Sequence, residues 1–199
     1  DLQRLRSRYF SSTDQLLTLA MGGEVFDPAF RTYWAIGRQH GLPILTHLVG
    51  SIGQATLVEQ LASEGLLGPD LVFIHASHIS EGSWQAIAQS GASVSIAAPI
   101  EMAMRHGMPP LQAALDHGVQ PALSTDVECT MTADFFTQMR TAFTLQRALI
   151  NERALNGETN LPELLTCRDV IRFATVEGAR VASLSHKIGS LTPGKEADI

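Results

Sequence analysis

The sequence is poor in cysteine: only Cys129 and Cys167 among 199 residues, in neither a C-x-x-C nor a zinc-finger spacing. That argues against a disulfide scaffold and makes a reducing cytoplasm the default setting. No apolar run reaches the roughly 18 residues that would suggest a membrane span. No signal-peptide pattern of basic and then apolar residues opens the chain. There is no excess of positive charge either. The formal net charge is −6, with acid and base interspersed, which disfavours a nucleic acid or an anionic membrane as partner. Low-complexity segments and linkers are missing as well. What remains is 45% hydrophobic and 17% charged, with a mean hydropathy of +0.08, enough for one sizeable core.

Five short apolar runs stand out: Leu16–Met21, Pro43–Leu48, Leu71–His75, Ser93–Ala98 and Gln120–Thr125. They recur at about 22 to 28 residues, the length of a βα unit, and lack the alternation of a half-solvated strand. Near-continuous apolar strands are the mark of parallel sheets. Helix signals fill the gaps. Ser51 to Gln54 reads as a capping box. Ser80 is a cap for a helix ending at Gly91, and the helix in "PPLQAALDHG" is framed by proline and glycine. Further helices are expected over about 133–156, ended by Gly157, and over about 162–184. This is an α/β protein with a parallel sheet. In a (β/α)8 barrel and in a doubly wound sheet alike, chemistry collects beyond the carboxyl ends of the strands.

Those ends carry His47, His75 followed by His78, Asp126, and Glu101 after the fourth run. Imidazole and carboxylate are the donors used by zinc and iron where a position stays open for water. The bland alternative is that each is a hydrogen-bonded polar tip, and the pattern alone leaves both readings open. His40 and His117 each precede a glycine and read as cations in the last turn of a helix. His106, on the loop after the fourth run, reads as a solvated loop residue or, as the alternative, one lining a pocket, and Cys129 as a small buried one.

The stretch "LVFIHASHISEGSWQAIAQSGASVSIAAPIEMAM" resembles the sixth and seventh βα units of the amidohydrolase superfamily, in its cytosine-deaminase and chlorohydrolase-like branch. "LSTDVECTMTADFFTQMR" resembles the eighth strand and its helix, and "ATVEGARVASLSHKIGSLTPGKEADI" the passage from barrel to β-sandwich. The resemblance implies a partial TIM-type barrel, about strands four to eight, over residues 1–187, with the start of a β-sandwich tail at 188–199. It implies zinc, or iron, held by His47, His75 and Asp126. Asp126 would take a proton from the attacking water and His75 would assist at the attacked centre. Asp198 would be structural. The substrate would be a small heteroaromatic molecule hydrolysed at a C–N bond, in a cytoplasmic enzyme.

Two departures from the family pattern stand out. Its deaminases carry a glutamate three residues after the fifth-strand histidine; here that residue is Gly50, with Glu101 and Glu128 the nearest replacements. The first-strand His-x-His pair is absent. The chain therefore reads as part of a longer polypeptide, without useful turnover alone, whose open sheet edges meet either the missing half of the barrel or a second copy. The competing reading is a truncated or degenerate, non-catalytic chain. A doubly wound nucleotide binder is the weakest reading, because Gly50 and Gly53 do not complete a phosphate-binding fingerprint.

Overall fold

The computed structural model describes residues 2–12, 14–15, 17–128 and 132–196. Five parallel strands form one sheet: β1 (Met21–Gly22), β2 (Ile44–Val49), β3 (Leu71–Ser77), β4 (Ser93–Ile96) and β5 (Ala122–Leu123). Their spatial order is their order in the chain. That order decides between the two architectures left open by the sequence. A doubly wound sheet reverses direction at a switch point; an arc of a barrel adds each strand beside the last. The chain is an arc of a (β/α) barrel.

The central strands are dry. In β2 and β3, Ile44, Leu48, Leu71 and Phe73 have no exposed surface. Full burial of such a side chain contributes roughly 1.5–3 kcal/mol. Helix α1 (Leu2–Tyr9), with no buried residue, precedes β1. The helices that follow are α2 (Phe30–Gln39), α3 (Leu57–Ser63), α4 (Glu81–Ser90), α5 (Ala98–Ala103) with α6 (Leu111–Asp116), and α7 (Phe135–Leu155). Then follow α8 (Cys167–Arg172), a π-helical turn over Phe173–Glu177 and α9 (Gly178–Val181). Trp34 of α2 is fully buried, and its indole N–H donates to the Gly23 carbonyl at 2.7 Å, fastening α2 to the end of β1.

Several expected boundaries shift for identifiable reasons. The first strand is Met21–Gly22 rather than Leu16–Met21; Leu16 lies outside the described residues. The capping box at Ser51–Gln54 does not form. Residues Gly50–Ile52 make a 3-10 turn, Gly53 is left-handed at φ 93°, and the Gln54 side chain accepts the Val49 N–H at 2.7 Å instead. The helix therefore starts at Leu57. The helix expected from 162 starts at Cys167, because Thr166 and Asp169 make a reciprocal capping box there. Ser80 does cap α4, accepting the Ser83 N–H at 3.0 Å, and Gly91 ends it at φ 72°. Residues 188–196 form turns and bends without a strand. Cys129 and Asp198 lie outside the described residues.

His117 closes α6 as a cation should. One ring nitrogen lies 2.8 Å from the Ala113 carbonyl and the other 2.7 Å from a Glu81 carboxylate oxygen. Both partners are acceptors, and only the imidazolium donates from both nitrogens. The Ala113 carbonyl above all, and then Glu81, raise the pKa above the ordinary histidine value. A raised folded-state pKa gives stability that is complete below the unfolded value of about 6.5 and is lost as pH rises through the folded value. The melting-temperature gap between wild type and His117→Gln should thus be widest in mild acid and narrow with rising pH. It should stay within about 1 kcal/mol because Glu81 is exposed. A gap independent of pH would remove the imidazolium from the account.

Candidate active site

A plain β3 would send its histidine the wrong way. His47 is in register with Ile74, and Leu48 with His75, so strict alternation puts the two rings on opposite faces. The backbone breaks the alternation. The register slips between Leu48 and Val49, and His75 and Ala76 take left-handed conformations at φ 72° and 52°. Such residues cost roughly 1–3 kcal/mol each and persist where their surroundings hold them. The outcome is that the His47 and His75 ring centroids lie 5.6 Å apart. Asp126, just past β5, is also left-handed at φ 56°, and its carboxylate lies 3.6 Å from His75 Nε2. His75 is therefore a neighbour of both His47 and Asp126.

Each ring is held by a carboxylate. His75 is buried, with Nδ1 3.1 Å from Glu101 Oε1. Glu101 sits in the first turn of α5 with no exposed surface, and the same oxygen accepts the Ala97 N–H at 2.9 Å. Its other oxygen is buried without a hydrogen-bond partner. Burial pushes the Glu101 carboxyl above the ordinary glutamate range, while the hydrogen bond from His75 opposes this. His47 is more open. Its Nδ1 lies 2.8 Å from Glu24 Oε1, and its backbone N–H donates to Glu24 Oε2 at 2.9 Å.

His106 belongs here too, against the expectation of a solvated loop residue. Its ring stands edge-on to His75 with centroids 4.6 Å apart, and its Nδ1 is buried without a partner. Burial, reinforced by the neighbouring His75, lowers its pKa below the ordinary histidine value. His78 parts company with His75. It is exposed, left-handed at φ 55°, and lines an apolar cavity of about 290 Å³ with Trp84, Met108 and Leu149. Glu128 is exposed, whereas Glu101 bonds His75 directly.

Glu24 escaped the sequence reading because the first strand was ended at Met21. Ended at Gly22, the strand leaves Glu24 two residues beyond its carboxyl end, where the other site residues are found. His106 carries no such signal; only the fold of the loop after β4 turns it inward.

Zinc-type donors are present in kind. His75 Nε2 lies 3.6 Å from the Asp126 carboxylate, beyond hydrogen-bond reach, an arrangement that favours a cation shared by the two. Among the described residues, however, no group of three or more His, Cys, Asp or Glu is arranged to hold a metal ion.

These features define a barrel-type α/β protein with histidine and carboxylate chemistry at the strand ends. The chain belongs to the amidohydrolase family, whose model matches residues 44–199. It is 29% identical over 143 residues to a 5'-deoxyadenosine deaminase of Methanobrevibacter smithii, covering 71% of this chain and 31% of that protein. It is 29% identical over 178 residues to a 5-methylthioadenosine/S-adenosylhomocysteine deaminase of Syntrophobacter fumaroxidans, covering 82% of this chain and 38% of that protein. The crystal structure of an adenosine deaminase from Xanthomonas campestris with bound zinc superposes with a TM-score of 0.78 at 23% identity. It covers 99% of this chain and 46% of that one. The chain spans about a third of the length of the curated relatives it matches.

Gly50, where the deaminase pattern has a glutamate, is closed to any side chain. A Cβ built there would lie 1.7 Å from the His78 carbonyl oxygen. The obstacle is backbone and cannot rotate away. Gly50→Ala should lower stability by about 3 kcal/mol, the upper end of overpacking costs, read as a shifted midpoint in urea. Gly50→Glu should therefore fail to install the missing acid. An unchanged midpoint for Gly50→Ala would overturn this account.

Proposed function

We propose that this chain is the part of a metal-dependent amidohydrolase that carries His47, His75 and Asp126, and that the whole enzyme hydrolyses a C–N bond of a small heteroaromatic substrate. The observation that carries the reading is the meeting of His75 Nε2 and the Asp126 carboxylate at 3.6 Å, with the His47 ring beside them. The deaminase names of the relatives support the reaction class. Exposed apolar side chains on the segments after the strands, among them Phe26, Ile52, Met104 and Met108, support an apolar substrate.

His47, His75 and Asp126 would supply part of the donor set for zinc, or iron, completed by the rest of the barrel. When bound, the metal would supply a Lewis acid that acidifies water toward neutrality. The chain's own residues do the rest. The Asp126 carboxylate, 20% exposed, is open enough to accept the proton of the attacking water and to pass it toward the leaving nitrogen. His75, dry and with Nδ1 fixed by Glu101, would lend its Nε2 to the metal or to the attacking water. With position 50 closed, protonation of the substrate ring cannot follow the route of a glutamate at that site.

The same proposal takes in the setting of the chain. β1 and β5 are edge strands, which supports pairing with further barrel strands or with a second copy. The boundary near residue 187, with a β-sandwich segment starting at 188, belongs to it as well. No described helix is long and apolar enough to cross a membrane; a cytoplasmic location is part of the proposal. A degenerate, non-catalytic chain is the second reading. The closed Gly50 and the lack of a three-donor group among the described residues favour it. Zinc analysis of the full-length protein separates the two, since a degenerate copy retains little metal.

Asp126→Asn in the full-length enzyme tests the leading reading. Asparagine is nearly isosteric and tolerates the left-handed backbone at this position, so the melting temperature should hardly move. Turnover should fall about 10²–10⁴-fold through loss of the general base. An Asn variant with wild-type turnover would remove Asp126 from the mechanism.

A further inference from the structure

Both site histidines are held in the same manner, by a glutamate reaching in from the neighbouring strand-end segment. At His75, the ring's Nδ1 meets Glu101 Oε1, an oxygen already accepting the Ala97 N–H. With Glu101 as a carboxylate, the oxygen that accepts the backbone amide has a second lone pair for the ring, so Nδ1 is the donor. A neutral imidazole has a single N–H, which leaves the lone pair on Nε2, the nitrogen facing Asp126. At His47, one Glu24 oxygen takes the residue's own backbone N–H and the other takes the ring Nδ1. That clamp on backbone and ring together fixes χ1 and χ2 as well as the proton.

We propose that Glu24 and Glu101 are positioning residues that hold His47 and His75 as the Nδ1–H tautomer and leave Nε2 as the electron-pair donor of each ring. Neither glutamate touches the reacting atoms; each acts through its histidine. A carboxylate orienting a histidine from behind is the arrangement that fixes tautomer and raises donor strength at metal-binding rings. Glu101 makes the stronger case. A wholly buried carboxyl is costly, and its bonds are to one strand-end amide and this ring. The inference rests on the reading of His47 and His75 as site residues.

The test reads the ring protons directly. Long-range proton–nitrogen spectra of histidine-labelled protein distinguish the two tautomers. They are recorded at about pH 8, above the ordinary imidazole pKa of about 6.5. The wild type should show Nδ1–H at both His47 and His75. Glu24→Gln should invert His47 alone. Its amide oxygen keeps the backbone N–H, so its NH2 faces the ring and forces the proton to Nε2. Glu101→Leu fills the same space without an acceptor and should release His75 from Nδ1–H. Glu101→Gln retains the single oxygen that serves both Ala97 and the ring, and should preserve it. A merely space-filling role predicts no difference between the two Glu101 variants. Nε2–H at either histidine in the wild type, or tautomers that ignore these substitutions, would overturn the proposal. If Glu101→Leu does not fold, the wild-type spectrum and Glu24→Gln still decide it.

Zinc titration of the full-length protein separates this inference from the functional reading. Loss of an orienting carboxylate should weaken zinc about 10–100-fold. Zinc binding without fixed tautomers would sink the inference and spare the reading. Fixed tautomers with no zinc binding would do the opposite.

Discussion

The end of β3 carries the demand on which the rest of the site depends. This strand lies between β2 and β4 and is buried along nearly its whole length. A dry strand must nevertheless deliver an imidazole to the same side as His47. Alternation forbids it, because successive positions along a strand face opposite ways and His75 pairs with Leu48, not with His47. Two consecutive left-handed residues, His75 and Ala76, together with the register slip in β2, resolve the conflict. Neither residue is glycine, so the turn is strained, and the neighbouring strands and the Glu101 hydrogen bond hold it. Asp126 repeats the pattern at β5. Strain thus gathers at the positions where side chains are re-aimed, as is common at functional sites.

The loop after β3 then settles what can exist around it. Its carbonyl at His78 fills the volume that a side chain at position 50 would need. The space lost at Gly50 and the acid gained at Glu101 are linked through one segment: β3 presents the ring that Glu101 holds, and the loop directly after it presents the blocking carbonyl. The site therefore differs from a deaminase with one residue missing. Glu101 stands behind His75 in a low-dielectric layer where hydrogen bonds orient rings firmly, while the Glu24–His47 pair is partly open to solvent. The Asp126 side chain is 20% exposed against none for Glu101.

The sequence was sufficient for the class of fold. Apolar runs such as Leu71–His75, spaced by helix caps and glycine stops, announce buried parallel strands because burial on both faces leaves no polar alternation. Ser80 and Gly91 mark the ends of α4 by local chemistry alone, and His47, His75 and Asp126 are legible because strand ends are where polar residues interrupt apolar runs. Other features needed long-range contacts. The failed capping box at Ser51 lost to a left-handed Gly53 and to Gln54 turning back to Val49. The inward turn of His106, the clamp of Glu24 on His47 and the closure of Gly50 each join segments far apart in the chain. Periodicity and capping act over a few residues, so they fix elements and their order. Only packing between strands brings Glu24 to His47 across 23 positions and Glu101 to His75 across 26. The class of protein was therefore written locally, while the orientation of each ring was decided by the tertiary structure.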